Sequence, residues 1–555
     1  MLLKLNLLNT KYHPPKSSLK GGFFASPLEG RLRGVFTLLF VLFSLFVSSQ
    51  SHVKTKSGAK IEILNANTLE FEERDGENVK RLIGDVRLKH DDALMFCDSA
   101  YIYSVNNTMD AYGHVRINQG DSLQLYGDSL KYDGNTKIVI LRGDIRLVNE
   151  DMTLTTNFLD YNRTDNVAYY YGGGTMVNQK KNNTLTSEQG YYHSKGEAFY
   201  FKENVVLTNP DYKIEADTLN YNSASEIVNF LGPTTITSDE NFIYTEKGWY
   251  NTQSNQSKFY QNAYLYSEEK LIEGDTLYYD RELGFGEIIC NGTITDTVEN
   301  LILKGDVAHL FEKKDSAMIT QEALMMQLFD DDTLYMHADT FKISTQYVVP
   351  DSLKNETDTT KIIGDTIRNL FAYNHVKFFK KDMQGKADSM VYNFADSTIN
   401  FYHEPVIWSK ENQITADFIY LVMANGEIDK MYMDNNAFII SKVDSLTNYY
   451  NQIKGKNMIG HFTDDELRKI DVIQNSETIY YPIDDDGKYI GVNKLSGENL
   501  LVLLKDNDIE TITFINSPEG ELTPMKDINP KEIILKGFNW RITEQPQNMF
   551  DVFVW

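Results

Sequence analysis

Apolar and polar residues alternate with a period of two over long stretches of this chain. In residues 139–147 every second position is apolar or glycine, and the intervening positions include Arg142 and Arg146. Such alternation is typical of a half-buried antiparallel strand. Polar segments such as 118–122 and 133–137 separate neighbouring stretches. The pattern therefore predicts β-hairpins with one apolar face.

The same short strand, of the form Gly-x-Val-x-Leu, returns at nearly constant spacing. Successive copies begin at Gly84, Gly113, Gly143, Gly172, Glu203, Gly232, Gln261 and Asn291. The intervals are 29, 30, 29, 31, 29, 29 and 30 residues. One hairpin cannot bury its apolar face alone, so repeats of this kind are expected to stack around a continuous apolar interior.

A second motif lies between consecutive copies and reads small residue, Asp or Asn, any residue, apolar, any residue, Tyr. It occurs as CDSAYIY (97–103), GDSLKYD (127–133), TNFLDYN (156–162), ADTLNYN (216–222) and GDTLYYD (274–280). The apolar alternation changes phase at the small residue, since Leu130 and Tyr132 are out of step with Leu125. A phase change beside a small residue and Asp predicts a β-bulge or corner.

The chain divides into five segments by pattern. They are a signal peptide (1–49), β repeats (50–343), a polar loop or boundary (344–368), further repeats (369–440) and a strand-rich C-terminal region (441–555). For the C-terminal region, capping of the stack, docking to other proteins and extension of the interior remain open.

The N-terminal segment has the features of an export signal. Basic residues precede the apolar run Val35–Val47, and small residues follow it before Gln50. This run is shorter than the roughly 20 residues of a membrane span, although an uncleaved anchor stays open. Removing a leader with six basic and one acidic residue changes the net charge from −25 to −30. Such an acidic chain is expected to repel nucleic acid.

No catalytic, cofactor or metal motif is apparent, so the sequence predicts a protein that is not an enzyme. It lacks a serine nucleophile elbow, a zinc His-Glu-x-x-His motif and a phosphate loop. The glycine-rich segments 172–175 and 284–287 are predicted turns or bulges. Cys97 and Cys290 are six repeats apart, beyond the reach of a disulfide in a linear stack, and are predicted to be unpaired core thiols.

The two motifs together resemble the OstA/LptA family of lipopolysaccharide-transport proteins, over most of residues 60–440. Segments 387–417 and 536–540 (KGFNW) are similar to long OstA-like proteins of Gram-negative bacteria. The resemblance implies an all-β fold, an elongated antiparallel β-jellyroll of roughly 29-residue strand-hairpin repeats, open-ended with an apolar interior. It also implies a periplasmic protein that carries lipid A acyl chains in an apolar groove toward the outer membrane.

The partners implied by the family are lipopolysaccharide and other transport proteins, which join by edge-strand addition. Glycines on the apolar face are expected to leave space for acyl chains. The candidate groove residues are Val115, Ile117, Val139, Leu141, Gly143, Ile145, Leu147, Val205, Leu207, Val228, Phe230 and Gly232.

Two other interpretations stay open. The high tyrosine content and the final FVW also occur in outer-membrane β-barrels, although charged outward positions such as Arg142 and Asp144 disfavour lipid contact. A structural or adhesive β-repeat protein of the cell envelope is the other alternative.

Overall fold

The structure, a computed structural model, describes residues 61–348 and 365–555. Short gaps lie at 75, 91–92, 120–122, 150–151, 163, 166, 180–181, 194–195, 197, 211, 223, 240, 268–269, 330–331, 425–426, 444–447, 464–465, 485–486, 506–507 and 530–531. The predicted signal peptide, 1–49, lies outside the described residues.

The described residues form 37 β-strands, every one of which pairs antiparallel, and no α-helix. The first strands are β1 Glu62–Asn65, β2 Thr68–Arg74, β3 Glu77–His90, β4 Ala93–Tyr103, β5 Thr108–Gln119, β6 Leu123–Asp133, β7 Ile138–Asn149, β8 Met152–Asn162, β9 Val167–Asn178, β10 Asn183–Ser187, β11 Gln189–His193, β12 Ala198–Thr208, β13 Tyr212–Asn222, β14 Ile227–Ser238, β15 Asn241–Asn251, β16 Gln256–Ser267, β17 Lys270–Asp280, β18 Phe285–Asp296 and β19 Leu301–Phe311.

The later strands continue the same meander toward the C-terminus. They are β20 Ser316–Thr320, β21 Leu324–Leu328, β22 Thr333–His337, β23 Thr340–Val348, β24 Asp365–Tyr373, β25 Val376–Phe379, β26 Met383–Ala387, β27 Ser389–Asn393, β28 Thr398–Tyr402, β29 Val406–Ser409, β30 Asn412–Thr415, β31 Phe418–Ala424, β32 Glu427–Lys442, β33 Tyr450–Thr463, β34 Glu466–Tyr480, β35 Gly491–Lys505, β36 Asp508–Ile515 and β37 Glu519–Pro524. Short 3-10 helices are η1 Glu312–Lys314, η2 Met525–Asp527, η3 Ile542–Glu544 and η4 Asp551–Phe553.

Each long strand bends sharply near its middle. In the β5–β6 ladder the register shifts between Tyr112 and Val115, so that Gly113 and His114 lie opposite the single residue Asp128. Gly113 has a φ of 76° and His114 a φ of 44°. Two successive left-handed residues turn the strand through a corner, a conformation that glycine, Asn, Asp and His tolerate best. The corner lies where the phase change predicted it. The extra residue, however, belongs to β5, which carries the Gly-x-Val-x-Leu strand, and not to β6.

The left-handed pair, which we call the corner doublet, recurs along the molecule. It is formed by Gly84–Asp85, Gly113–His114, Gly143–Asp144, Gly172–Gly173, Glu203–Asn204, Gln261–Asn262, Cys290–Asn291, Gln321–Glu322, Asn374–His375, His403–Glu404, Asn435–Asn436, Gln474–Asn475 and Asn516–Ser517. The eighth copy thus begins at Cys290 and not at Asn291, because register is set by the doublet. Gly172–Gly173 confirms the bulge predicted in segment 172–175.

The corners divide the folded sheet into two walls. The first wall contains residues 108–112 and 129–133 of β5 and β6, and the second contains 115–119 and 123–127. The small residue of the second motif, which we call the tyrosine motif, lies at the inner apex, where the walls converge. A Cβ atom at Gly127 would lie 3.4 Å from Leu141 Cδ2, so a larger side chain would press on the core.

The inner faces of both walls pack into two successive apolar clusters. The first runs from Leu82 to Tyr250 and the second from Ala263 to Leu504, with Phe259 packed against both. Burying each large apolar side chain contributes about 1.5–3 kcal/mol, so these clusters supply most of the favourable free energy.

From β20 onward most corners separate two short strands, and each short strand continues one of the two walls. β20 pairs with β19 and β23, whereas β21, beyond the corner, pairs with β19 and β22. Strand residues occupy both ends of the predicted polar loop 344–368, because Val348 in β23 pairs with Asp365 in β24. The described ends of this segment are therefore paired with each other, and residues 349–364 lie outside the description.

The C-terminal region contains two different structures. Strands β33 to β37 extend the sheet. Residues 525–555, which we call the strap, run back over the outer face of the second wall. Leu535 of the strap is 3% exposed and packs with Phe438 and Ile440. The strap thus covers apolar side chains that would otherwise face water.

Two buried glutamines hold the strap by its backbone. Gln452 Nε2 donates to the Ile533 carbonyl at 2.9 Å, and its Oε1 accepts from the Leu535 N–H at 2.9 Å. Gln413 bonds the Asn539 carbonyl and the Arg541 N–H at 2.7 and 2.6 Å. Each amide therefore pairs with the strap as a neighbouring strand residue would.

Charged groups hold the distal part of the strap. Glu544 accepts from Lys386 at 2.7 Å and from Arg541 at 2.7 Å. Hydrogen bonds from the Arg541 side chain, opposed by partial burial and assisted by Lys386, lower the pKa of Glu544 to about 2. Lys377 Nζ donates to the Val554 carbonyl at 2.6 Å.

The two cysteines differ in environment, and the prediction of two core thiols is wrong for one of them. Cys97 is buried, and burial raises the pKa of its thiol to about 12. Cys290 is exposed because it is the first residue of a corner doublet, with a φ of 61°. Both thiols are free.

Replacing Gly143 tests the corner doublet. At its φ of 76° any side chain is strained, and a Cβ atom would clash with the Asp128 carboxylate. We expect Gly143→Leu to lower the free energy of unfolding by about 1–3 kcal/mol, and Gly143→Asn to lower it less, because Asn tolerates this region. Urea unfolding followed by circular dichroism measures both. Equal stabilities of wild type and Gly143→Leu would contradict the assignment.

Replacing Gln452 tests the strap. Gln452→Leu leaves the Ile533 carbonyl and the Leu535 N–H without partners, at a cost of about 1–3 kcal/mol for each buried group. We expect amide hydrogen exchange at Leu535 to become at least tenfold faster, as measured by mass spectrometry. Gln253→Leu, in an exposed turn, is the control. Unchanged exchange in the Gln452 variant would show that apolar packing alone holds the strap.

Candidate functional site

The inner faces of both walls from β3 to β15 form a continuous apolar surface, which we call the trough. Eight of the candidate groove residues lie within its cluster at 0–4% exposure: Val115, Leu141, Ile145, Leu147, Val205, Leu207, Val228 and Phe230. Ile117 and Val139 pack against the same cluster and are partly buried. These ten side chains, predicted from strand parity, face inward together. In this conformation they are packed against the other side chains of the cluster.

The two candidate glycines lie elsewhere, and the prediction that they widen the interior is wrong. Gly143 and Gly232 are corner residues with φ values of 76° and 119°. A Cβ atom at Gly143 would lie 3.0 Å from Asp128 Cβ, and one at Gly232 would lie 3.2 Å from Asp217 Cβ. The backbone conformation, and not free space in the trough, explains why glycine recurs there.

The Asp of the tyrosine motif has a structural role at the corner. Asp98 Oδ2 lies 2.7 Å from His114 Nδ1, and this hydrogen bond raises the pKa of His114. Asp275 accepts from Asn291 at 2.9 Å in the same way. The acid of one strand therefore bonds the second residue of the next corner doublet. Among the described residues no His, Cys, Asp and Glu cluster is arranged to hold a metal ion.

The Tyr of three motif segments, with Tyr192 and Tyr250 at the equivalent position of two other strands, forms a row along the inner edge of the first wall. Its members are Tyr132, Tyr161, Tyr192, Tyr221 and Tyr250, each the penultimate residue of its strand. Val139 pairs with both Tyr132 and Tyr161, so neighbouring tyrosines are two strands apart. The last strand residue caps the turn, as Asp133 does by accepting from the N–H of Asn135 at 2.8 Å. We call this set the tyrosine row.

The free tips of the two walls approach one another opposite the corners. His90, the last residue of β3 in the second wall, meets the Tyr132 ring of the first wall with centroids 5.4 Å apart. Covalently continuous strands thus close the trough at its apex, and the side chains of His90 and Tyr132 meet across its mouth.

The outer face carries charge, as the alternation predicted. The Arg116 guanidinium lies 4.3 Å from the Phe96 ring centroid, and Arg142 pairs with Asp160 at 2.6 Å. Cation–π and ion-pair contacts across neighbouring strands stabilise a sheet face exposed to water. No helix among the described residues is long and apolar enough to cross a membrane.

Both ends of the described sheet are open. β1 and β2 pair only with β3, and β36 and β37 pair only with β35. At the first end Leu69 is 48% and Phe71 74% exposed, and at the other Leu522 is 53% exposed. Strand parity could not reveal these edges, because it does not show which strands lack a second neighbour.

Comparison with known proteins finds a family whose model matches the N-terminal repeats. Residues 58–217 and 214–275 match the model of a family described as OstA-like protein. One similar solved structure is LptH from Pseudomonas aeruginosa, titled the LptA homologous periplasmic component of the conserved lipopolysaccharide transport device. It is 17% identical, with 18% of this chain and 78% of that chain covered and a TM-score of 0.17. No curated protein matches the chain. Over residues 58–275, the chain is similar to the OstA-like family.

Proposed function

We propose that this chain is a non-enzymatic carrier that binds lipopolysaccharide by its lipid A acyl chains in the trough. It acts in the periplasm, on the path toward the outer membrane. The observation that carries the proposal is the continuous apolar face shared by both walls from β3 to β15, in a chain whose family match covers those strands.

Acyl chains enter the trough when the tips of the walls separate. The corner joins the walls through a bent but unbroken ladder, whereas contacts such as His90–Tyr132 join the tips. Separation exposes apolar side chains, and acyl chains restore their burial at about 0.8 kcal/mol for each CH₂ group. Binding therefore replaces side-chain contacts between the walls with contacts to lipid.

Partners of the chain are other lipopolysaccharide-transport proteins that add a strand to an open edge. Unpaired backbone groups at β1 and β2 offer hydrogen bonds to an incoming strand, and exposed Leu69 and Phe71 offer apolar contact. Open edges otherwise promote aggregation, which strand addition by a partner prevents. Such an arrangement would join the trough to that of a neighbouring protein.

Two adjacent residues of β7 provide a matched test of lipid binding. Val139 faces the trough and Ile140 faces outward, and both are partly buried. We expect Val139→Glu to weaken lipid A binding at least tenfold, because a carboxylate in the trough opposes burial of an acyl chain. Ile140→Glu should leave binding unchanged. Native mass spectrometry of residues 50–555, purified without detergent and titrated with lipid A, measures both.

The outcomes separate the proposals. Equal weakening in both variants would point to general destabilisation, which circular dichroism of each variant detects. Absence of lipid A binding by the wild type at any concentration would overturn the carrier function and leave a structural or adhesive repeat protein.

Edge-strand addition is tested by photo-crosslinking in intact cells. A photoreactive amino acid at Phe71, on the open edge, is expected to link to another lipopolysaccharide-transport component identified by mass spectrometry. The control carries the photoreactive amino acid in place of Tyr126, on the outer face of β6, and should give no such link. Links from Tyr126 but not from Phe71 would place the partner on the wall face and contradict strand addition.

A further inference from the structure

We propose that the tyrosine row lies at the polar boundary of the trough, where its hydroxyl groups donate hydrogen bonds to the ester and amide carbonyls that join acyl chains to a saccharide head group. This inference rests on the proposed lipid-binding function. It assigns a role to the tyrosine that recurs at the end of the strand in five repeats.

The row lies at the boundary between apolar and polar surroundings. Each ring packs in or against the first apolar cluster, while the next residue of the strand already belongs to a hairpin turn. The Tyr250 hydroxyl reaches such a turn and donates to Asn255 Oδ1 at 2.9 Å. Tyrosine suits this position because its ring is apolar and its hydroxyl is polar.

Tyr132 shows a hydroxyl group without a protein partner. The residue is 7% exposed, and its buried hydroxyl has no hydrogen-bond partner in the structure. Buried polar groups are nearly always paired, and an orphaned one is costly. The ring also makes the contact with His90 that closes the mouth. A ligand that parts this contact would reach the hydroxyl directly.

The chemistry of the row favours an uncharged acceptor. On the strands between neighbouring tyrosines, the residues that pair with them are apolar: Val139, Ala168, Phe199 and Val228. A phosphate would require guanidinium or ammonium groups, and the row has none. Burial, with a smaller effect of Glu226, raises the pKa of Tyr221 to about 12 and keeps it a donor. An acyl ester or amide carbonyl is the matching group.

The repeat also sets a spacing. Tyrosines two strands apart are about 10 Å apart, from the distance between neighbouring strands. The sequence intervals of 29, 31, 29 and 29 residues maintain this spacing over five tyrosines. A lipid moving along the trough would therefore meet equivalent donors at each repeat, and its acyl linkages could pass from one to the next.

The test compares Tyr132→Phe/Tyr161→Phe/Tyr192→Phe with the outer-face control Tyr112→Phe/Tyr169→Phe/Tyr191→Phe. Phe retains the ring and removes only the hydroxyl. Two probes are titrated in native mass spectrometry: lipid A, which has carbonyl linkages, and n-hexadecane, which has none. We expect the row variant to bind lipid A at least tenfold more weakly than wild type and hexadecane equally well, and the control to resemble wild type for both probes.

Each outcome decides between the two proposals. If the row variant binds lipid A as tightly as wild type while Val139→Glu does not, the trough function stands and the role of the tyrosines is overturned. If wild type binds neither probe, the trough function itself fails. Tyr132→Phe alone should raise the melting temperature of the lipid-free protein, because it removes an unpaired buried hydroxyl. A lower melting temperature would show that this hydroxyl has a protein partner, which contradicts the inference.

Discussion

The two-residue left-handed corner is the constraint on which the rest of this molecule depends. A flat antiparallel meander could bury its apolar face only against another sheet. The corner folds successive ladders at the same level, so one sheet supplies both walls of its own core. The motif residues around it follow from this geometry. A small residue lies at the crowded inner apex. An acid such as Asp98 lies opposite the doublet and forms a hydrogen bond with a doublet residue such as His114. Because the corner recurs, the core extends with each repeat.

The outer face of the sheet differs between the two halves of the molecule. In the N-terminal half the outer face is charged and exposed, with Arg116 and Arg142 engaged by neighbouring side chains. In the C-terminal half the strap covers the second wall, and Gln413 and Gln452 pair with its backbone while buried almost completely. Buried amides of this kind specify one register of the strap, since sliding it would leave both unpaired. The strap therefore adds contacts to the second wall in the C-terminal half.

The walls are joined unequally, which connects the fold to the proposed function. Their apex is a hydrogen-bonded ladder that continues through the corner, whereas their tips meet through side chains such as His90 and Tyr132. A structure of this kind opens at the mouth before it opens at the apex. The side chains that would be exposed first are the tyrosine row and partly buried residues such as Val139, which are the groups that an amphiphilic ligand would meet.

The sequence by itself determined the strands, the repeat and the inward-facing side chains, because a period of two and a spacing near 29 residues are local properties of the chain. Ten of the twelve candidate groove residues faced inward as parity required. Strand parity wrongly predicted that Gly143, Gly232 and Cys290 face inward. The residue type alone does not distinguish an inward-facing glycine or cysteine from one at a left-handed corner. Only the tertiary structure decided which residues form the corner, which edges remain open, and where residues 525–555 lie. Those features depend on contacts between segments far apart in sequence, as between Gln452 and Leu535, and no periodicity records such contacts.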